Sequence, residues 1–168
     1  MNNMAYTVVN LDRMSGTEDS TLLVSLKYFV SENPAEIENG GIVEIGDLID
    51  NEREVRKATA PTASTPITKL VLVANPEIIY DETRHHGLEE YVNEAGKVIR
   101  GYRFHSGDGF SMTAEGFSGT PAKGKYLKVG TTTKPVIAND TSTGTIIGKI
   151  TDVYTLGAHT FYYVDVAL

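Results

Sequence analysis

Two clusters along the 168-residue chain carry residue types that could do chemistry. In YDETRHHGLEEYVNE, residues 80–94, adjacent histidines lie among carboxylates. His86 and Glu90 have the i, i+4 spacing that places two metal ligands on one helical face, and Glu82 could add a third oxygen. His85 and His86, being neighbours, diverge on a helix or a strand and cannot easily share one ion. Any further ligands would have to come from distant segments. A plainer reading suits the same residues: Asp81, Glu82 and Thr83 supply cap and first-turn chemistry for a helix, with the histidines exposed at its entry. The expectation is a connector, with no metal and no cofactor.

The second cluster is His105, Ser106 and Asp108, the residue types of a hydrolytic triad packed into four positions. Such triads assemble from distant segments because the three groups must meet in line. The chain has no G-x-S-x-G elbow, no phosphate-binding G-x-x-x-x-G-K-[ST] loop and no helix opened by G-x-G-x-x-G. HSGDG is therefore expected to be a β-turn and the protein not an enzyme. Nine tyrosines and five phenylalanines stand without any tryptophan. Tyr154, Tyr162 and Tyr163 could form a sugar-stacking patch, but strand alternation turns Tyr162 toward the core.

Composition limits the classes further. A hydrophobic fraction of 40% with 22% charged residues is that of a folded chain. Cysteine is absent, which removes disulfides, thiolate metal sites and a cysteine nucleophile. A net charge of -7 with scattered Lys and Arg argues against nucleic acid as a partner. No apolar run approaches the roughly 18 residues of a membrane span. MNNMAYTVVNLDRMSG lacks the basic start and unbroken apolar stretch of a signal peptide, so synthesis in a cytoplasm is expected.

The elements that would hold these residues are mostly strands. Residues 1–35 contain one apolar run, TLLVSLKYFV, and no hairpin signal, which predicts an extended arm with a strand or short helix near 21–30. ENGGIVEIGDLI reads as a turn at Asn39-Gly40 leading into a strand. ITKLVLVA, between Pro66 and Pro76, reads as a strand buried on both faces. In HGLEEYVNEAGK, Leu88, Tyr91, Val92 and Ala95 fall on one helical face and Gly96 sits where a C-cap belongs, which predicts a short helix over 87–95. VIRGYRFH, FSMTAE, KYLKV, KPVIA, TIIGKITDVY and TFYYVDVAL follow as short strands between Gly- and Thr-rich turns, with Tyr162, Val164, Val166 and Leu168 on one face. The expected fold is mostly β: a small antiparallel barrel or sandwich with a second β lobe and one short connecting helix. The expected division is an arm at 1–35, a first β lobe at 36–86, and the helix with the C-terminal barrel or sandwich at 87–168.

The segments MAYTVVNLDRMSG, IENGGIVEIGDLI with EREVRKATAP, LVLVANPEIIYDE, RGYRFHSGDGFSMTAEGF, and GKYLKVGTTTKPVIA with GTIIGKI span most of the chain. Together they resemble the capsid decoration (cement) proteins of tailed bacteriophages. They are strand-and-turn signatures, and no functional residue is carried over from them. The resemblance implies a non-enzymatic virion protein on the outer capsid surface, with the major capsid protein as partner and a homo-oligomer on the capsid. The alternative is a carbohydrate- or receptor-binding module of a phage tail or fibre; a hydrolase built on His105 or the His85 region is a third. Tyr6, Val8, Val9 and Leu11, apolar side chains on a segment without turn signals, are the expected partner-binding residues, covered by a neighbour through strand addition.

Overall fold

A computed structural model describes residues 5–79 and 87–166. They form twelve strands: β1 (Val9–Arg13), β2 (Leu23–Val30), β3 (Asn33–Pro34), β4 (Ile42–Leu48), β5 (Val55–Thr59), β6 (Leu70–Val73), β7 (Ile99–Arg103), β8 (Gly109–Thr113), β9 (Tyr126–Lys128), β10 (Val136–Ala138), β11 (Ile146–Leu156) and β12 (His159–Val166). The fold is mostly β, as the short β-branched runs and turn chemistry require.

Five strands close on themselves. β2 pairs with β5 in parallel, and the ring continues antiparallel through β4, β6 and β7 back to β2. Alternate residues fill this small barrel: Val24, Leu26 and Tyr28 from β2, Val43 and Ile45 from β4, Val71 and Val73 from β6, with Ala58 and Ile99. Gly101 of β7 is what lets the walls approach, because a Cβ there would lie 2.8 Å from Leu26 and 3.0 Å from Val71.

The second sheet is open, in the order β1-β8-β12-β11-β9-β10. Its inner face brings Val9, Phe110, Met112, Leu127, Ile147, Ile150 and Val164 against the outside of the barrel, where Ile42, Leu70, Leu72 and Tyr102 wait. β6 thus serves two cores, Leu70 and Leu72 on one side and Val71 and Val73 on the other. All four are fully buried, which is why the run shows no polar alternation. β8 is also buried along its whole length, whereas FSMTAE predicts a half-buried strand. Ser111 donates to Asp12 and Thr113 accepts from the Val8 amide, so this polar face is covered and satisfied.

Three expectations are corrected. The segment at 87–95 is not a helix of two turns: only Leu88–Glu90 makes a single 3-10 turn, and Tyr91 is already extended. Leu88 is half exposed, and Asn93 pairs with Ile37 as a β-bridge, which draws the chain out of helical geometry. Gly96 does have a left-handed φ of 79°, but it serves a turn closed by Lys97 N–H to Glu94 O. The expected arm at 1–35 is not one over its described residues 5–35, since β1 is a strand of the open sheet and β2 is a wall of the barrel. Apart from the short β2–β3 hairpin, their partners lie about 30 to 100 residues away, so no local signal could announce them. The division at residue 87 also fails, because β7 closes the barrel rather than joining the C-terminal sheet.

Candidate functional site

His85, His86 and Glu82 lie outside the described residues. Among the described residues, no three His, Asp or Glu side chains converge on a point where an ion could sit. Glu90, the proposed partner of His86, lies in the 3-10 turn on the wall of a groove.

The His105 cluster is a turn, as HSGDG predicts, closed by Asp108 N–H to His105 O at 3.0 Å. Asp108 is buried, and its carboxylate accepts from the amide and hydroxyl of Ser15 and, at 2.8 Å, from the amide of His105. The imidazole instead meets the Ser106 carbonyl, Nδ1 to O at 3.0 Å. Asp108 therefore contacts the backbone of His105 and not its ring, and the three residues do not form a relay. Its role is to pin the β7–β8 turn to the segment after β1. No signal near Asp108 reveals this, because Ser15 lies 93 positions away.

Tyr6, Val8, Val9 and Leu11 are not displayed on an arm. Val8 and Val9 are buried, Leu11 is partly buried against the shared core, and Tyr6 is half-buried. Tyr6 donates its amide to the Glu89 carbonyl at 2.8 Å. Hydrophobic burial beside β8 accounts for these apolar residues without a partner.

A groove of about 770 Å³ lies between the segment after β6 and the segment before β7. Its support is a hydrogen-bonded set of side chains. Asn39 Nδ2 donates to Asn75 O (2.9 Å), while Asn39 Oδ1 accepts from the Asn75 amide and from Asn93 Nδ2, both at 3.0 Å. Asn93 Nδ2 also reaches Ile37 O at 2.9 Å. The Tyr91 hydroxyl donates to Asn93 Oδ1 (2.9 Å) and accepts from Asn75 Nδ2 (3.1 Å). Among the described residues no buried side-chain polar atom lacks a partner. Amides and a phenol are hydrogen bonders rather than acids or bases at neutral pH. With these groups bonded to one another, the groove can recognise chiefly through its rim, where Ile78 (56% exposed) and Val98 (49%) stand beside Glu94, Lys97 and Arg100. Sequence reading takes Asn39-Gly40 for a turn only and misses the network, whose members come from three separate segments.

The tyrosines divide between faces. Tyr162 turns inward and meets Phe117 edge-on at 5.9 Å, as alternation predicts. Tyr154 stacks on Phe161 at 5.5 Å on the other side of the sheet, and its hydroxyl accepts from Asn10 Nδ2 at 3.3 Å. Tyr163 lies over Gly109, and burial first, then the nearby Asp165 carboxylate, raises its phenol pKa. His159 sits edge-on to Phe161 and 3.3 Å from the Glu89 carboxylate, joining the β11–β12 hairpin to the groove segment. The three tyrosines do not make one platform. No helix among the described residues is long and apolar enough to cross a membrane. Set against known protein families, curated proteins and solved structures, the chain has no match.

Proposed function

We propose that this chain is a non-enzymatic structural protein of a bacteriophage particle, one that binds the outer capsid surface and reinforces it against internal pressure. The capsid partner comes from the resemblance of its strand-and-turn segments to decoration proteins. The observation that favours a binding role over chemistry is the use made of Asp108: the one carboxylate of the candidate triad is buried and spent on the amides of Ser15 and His105 and the Ser15 hydroxyl. The exposed surface instead offers scattered apolar side chains, Val30, Leu48, Ile78, Val98 and Leu156 among them. Such a surface suits many modest contacts repeated over a lattice, where multivalency supplies the holding strength. The major capsid protein is the partner in this reading, and the outer face of the virion is the location.

The test is co-sedimentation of the purified protein with empty, expanded capsids of its own virus. Saturable binding at a fixed number of copies per capsid is the expected result. No binding to expanded capsids overturns the proposal. A sugar-binding module of a tail or fibre remains the second reading, favoured by Tyr163 beside Asp165. It is weakened by Tyr154, whose ring face is taken by Phe161. Selective retention on a glycan array would decide for it.

A further inference from the structure

The five strands of the barrel form a closed ring, so its free edges among the described residues are confined to strand ends: the two-residue β3, half of it Pro34, and the end of β4 past Glu44, which a register shift interrupts beside the charged Asp47. In the open sheet, β10 is shielded by Ser118, which bonds to Pro135 and Ile137, and β1 is interrupted by a register shift beside the charged Asp12 and Arg13. β11 differs. Its first residues pair with β9 at Ile146, Gly148 and Lys149, and Ile150 still exchanges bonds with Gly124 and Lys125. Beyond the register shift between Ile150 and Asp152, the strand continues to Leu156 with only β12 beside it among the described residues.

The hairpin fixes which backbone groups that edge offers. Leu156 and His159 face each other across the two-residue Gly157-Ala158 turn, where Gly157 has φ 63° and Ala158 does not share a positive value, as a II′ turn requires. The pair flanking such a turn is hydrogen-bonded, and bonded pairs alternate with open ones along the ladder. Tyr154 opposite Phe161 and Asp152 opposite Tyr163 therefore bond inward, while Val153 and Thr155 point N–H and C=O away from β12. Val153 is 38% exposed and Leu156 61%, so this edge is apolar as well as unpaired.

We propose that this edge pairs with the same edge of a second copy, antiparallel, about a two-fold axis at Tyr154. The occupant follows from the spacing. Two outward residues flanking one inward residue are self-complementary: Val153 meets Thr155 of the other copy, twice, giving four backbone bonds. Tyr154 faces its counterpart, a favourable aromatic pair across strands. The edge carries one charge, Asp152, which falls opposite Leu156. The two copies of Asp152 stand about 13 Å apart along the strands, beyond the roughly 8 Å screening length at physiological salt. The pairing joins two six-stranded sheets through one continuous ladder. A contact this short lies below the roughly 1,200 Å² of stable interfaces, so the dimer is weak, with half-association on the order of 100 μM. This inference is independent of the capsid reading.

The test uses the full chain. Sedimentation equilibrium should show a monomer–dimer equilibrium, and hydrogen exchange at the Val153 and Thr155 amides should slow as concentration rises while exchange at Tyr154 does not change. Thr155→Pro deletes an outward donor without touching the β11–β12 ladder and should abolish dimerisation with the β12 amide spectrum retained. Should that variant fail to fold, Val153→Lys places like charges close together across the axis and should weaken the dimer at least tenfold. A chain that stays monomeric at about ten times the expected midpoint overturns the proposal, whatever other strand the edge accepts. So does a dimer indifferent to the folded variants, or protection that does not centre on Val153 and Thr155.

Discussion

The barrel and the open sheet are built from similar residues but solve burial differently. The barrel encloses its own interior with Leu26, Val43, Val71 and Ile99 and closes its five strands into a ring. The open sheet has one apolar face and no second sheet of its own, so it borrows the outer wall of the barrel, Ile42, Leu70, Leu72 and Tyr102. The asymmetry teaches that β4, β6 and β7 must be apolar on both sides, while β11 and β12 need be so on one. It also predicts that the sheet depends on the barrel more than the barrel depends on the sheet.

The largest expected effect tests that dependence. Leu72→Ala opens a cavity in the shared core and should cost about 2–5 kcal/mol, read from urea unfolding by tyrosine fluorescence and circular dichroism. Residual protection against hydrogen exchange should then persist longest at Leu26 and Val43, inside the barrel. If amides in β8 and β12 outlast those in β2 and β4, the dependence runs the other way.

Legibility followed the range of the contacts. β6 could be read because a four-residue apolar run between prolines has few other uses, and β9 to β12 could be read because glycine and threonine turns separate them. The barrel closure could not: the parallel β2–β5 pair and the β2–β7 pair join residues about 30 and 75 positions apart, and nothing local to TLLVSLKYFV distinguishes a barrel wall from an arm. Helical spacing at 88–95 misleads because it places Leu88 and Tyr91 on one apolar face. Tyr91 is instead held by the hydroxyl it gives to Asn93, and Leu88 faces outward. Of the candidate site, the turn at 105–108 was legible, and the bond from Asp108 to Ser15 was not.

A middle-sized effect concerns the polar seam that fastens the groove segment to the barrel. Asn93→Ala removes donors from Asn39 Oδ1 and Ile37 O and an acceptor from the Tyr91 hydroxyl, all in a buried setting. Asn39 Oδ1 keeps the Asn75 amide and Ile37 O keeps the Asn93 amide, so the Tyr91 hydroxyl is the group left without an acceptor, which should cost about 1–3 kcal/mol. Exchange at the amides of Asn93 and Ile37, bonded to each other across the bridge, should accelerate with the loss. A variant as stable as the parent would mean that water replaces the amide there and that the seam does not hold the groove in place.

The smallest effect lies where the barrel is least constrained, at the turn between β2 and β3. Ser31 and Glu32 occupy its two central positions with φ of 48° and 65°, the left-handed geometry that two-residue hairpins assign to Asn-Gly or Gly-Gly. Each costs about 1–2 kcal/mol for a residue with a Cβ. Part of any relief is lost to the greater freedom of glycine in the unfolded chain, so Ser31→Gly should gain about 0.5–1 kcal/mol. The bond from Asn33 Nδ2 to the Ser31 carbonyl survives that change because it uses the backbone. Glu32→Gly should gain less, since it also removes the exposed ion pair with Lys57, a contact of about 0–1 kcal/mol. Thermal unfolding of the two variants should therefore rank Ser31→Gly above Glu32→Gly, with both differences smaller than those of the core and seam variants. A loss of stability in Ser31→Gly would show that the serine side chain, and not the turn geometry, holds this end of the barrel.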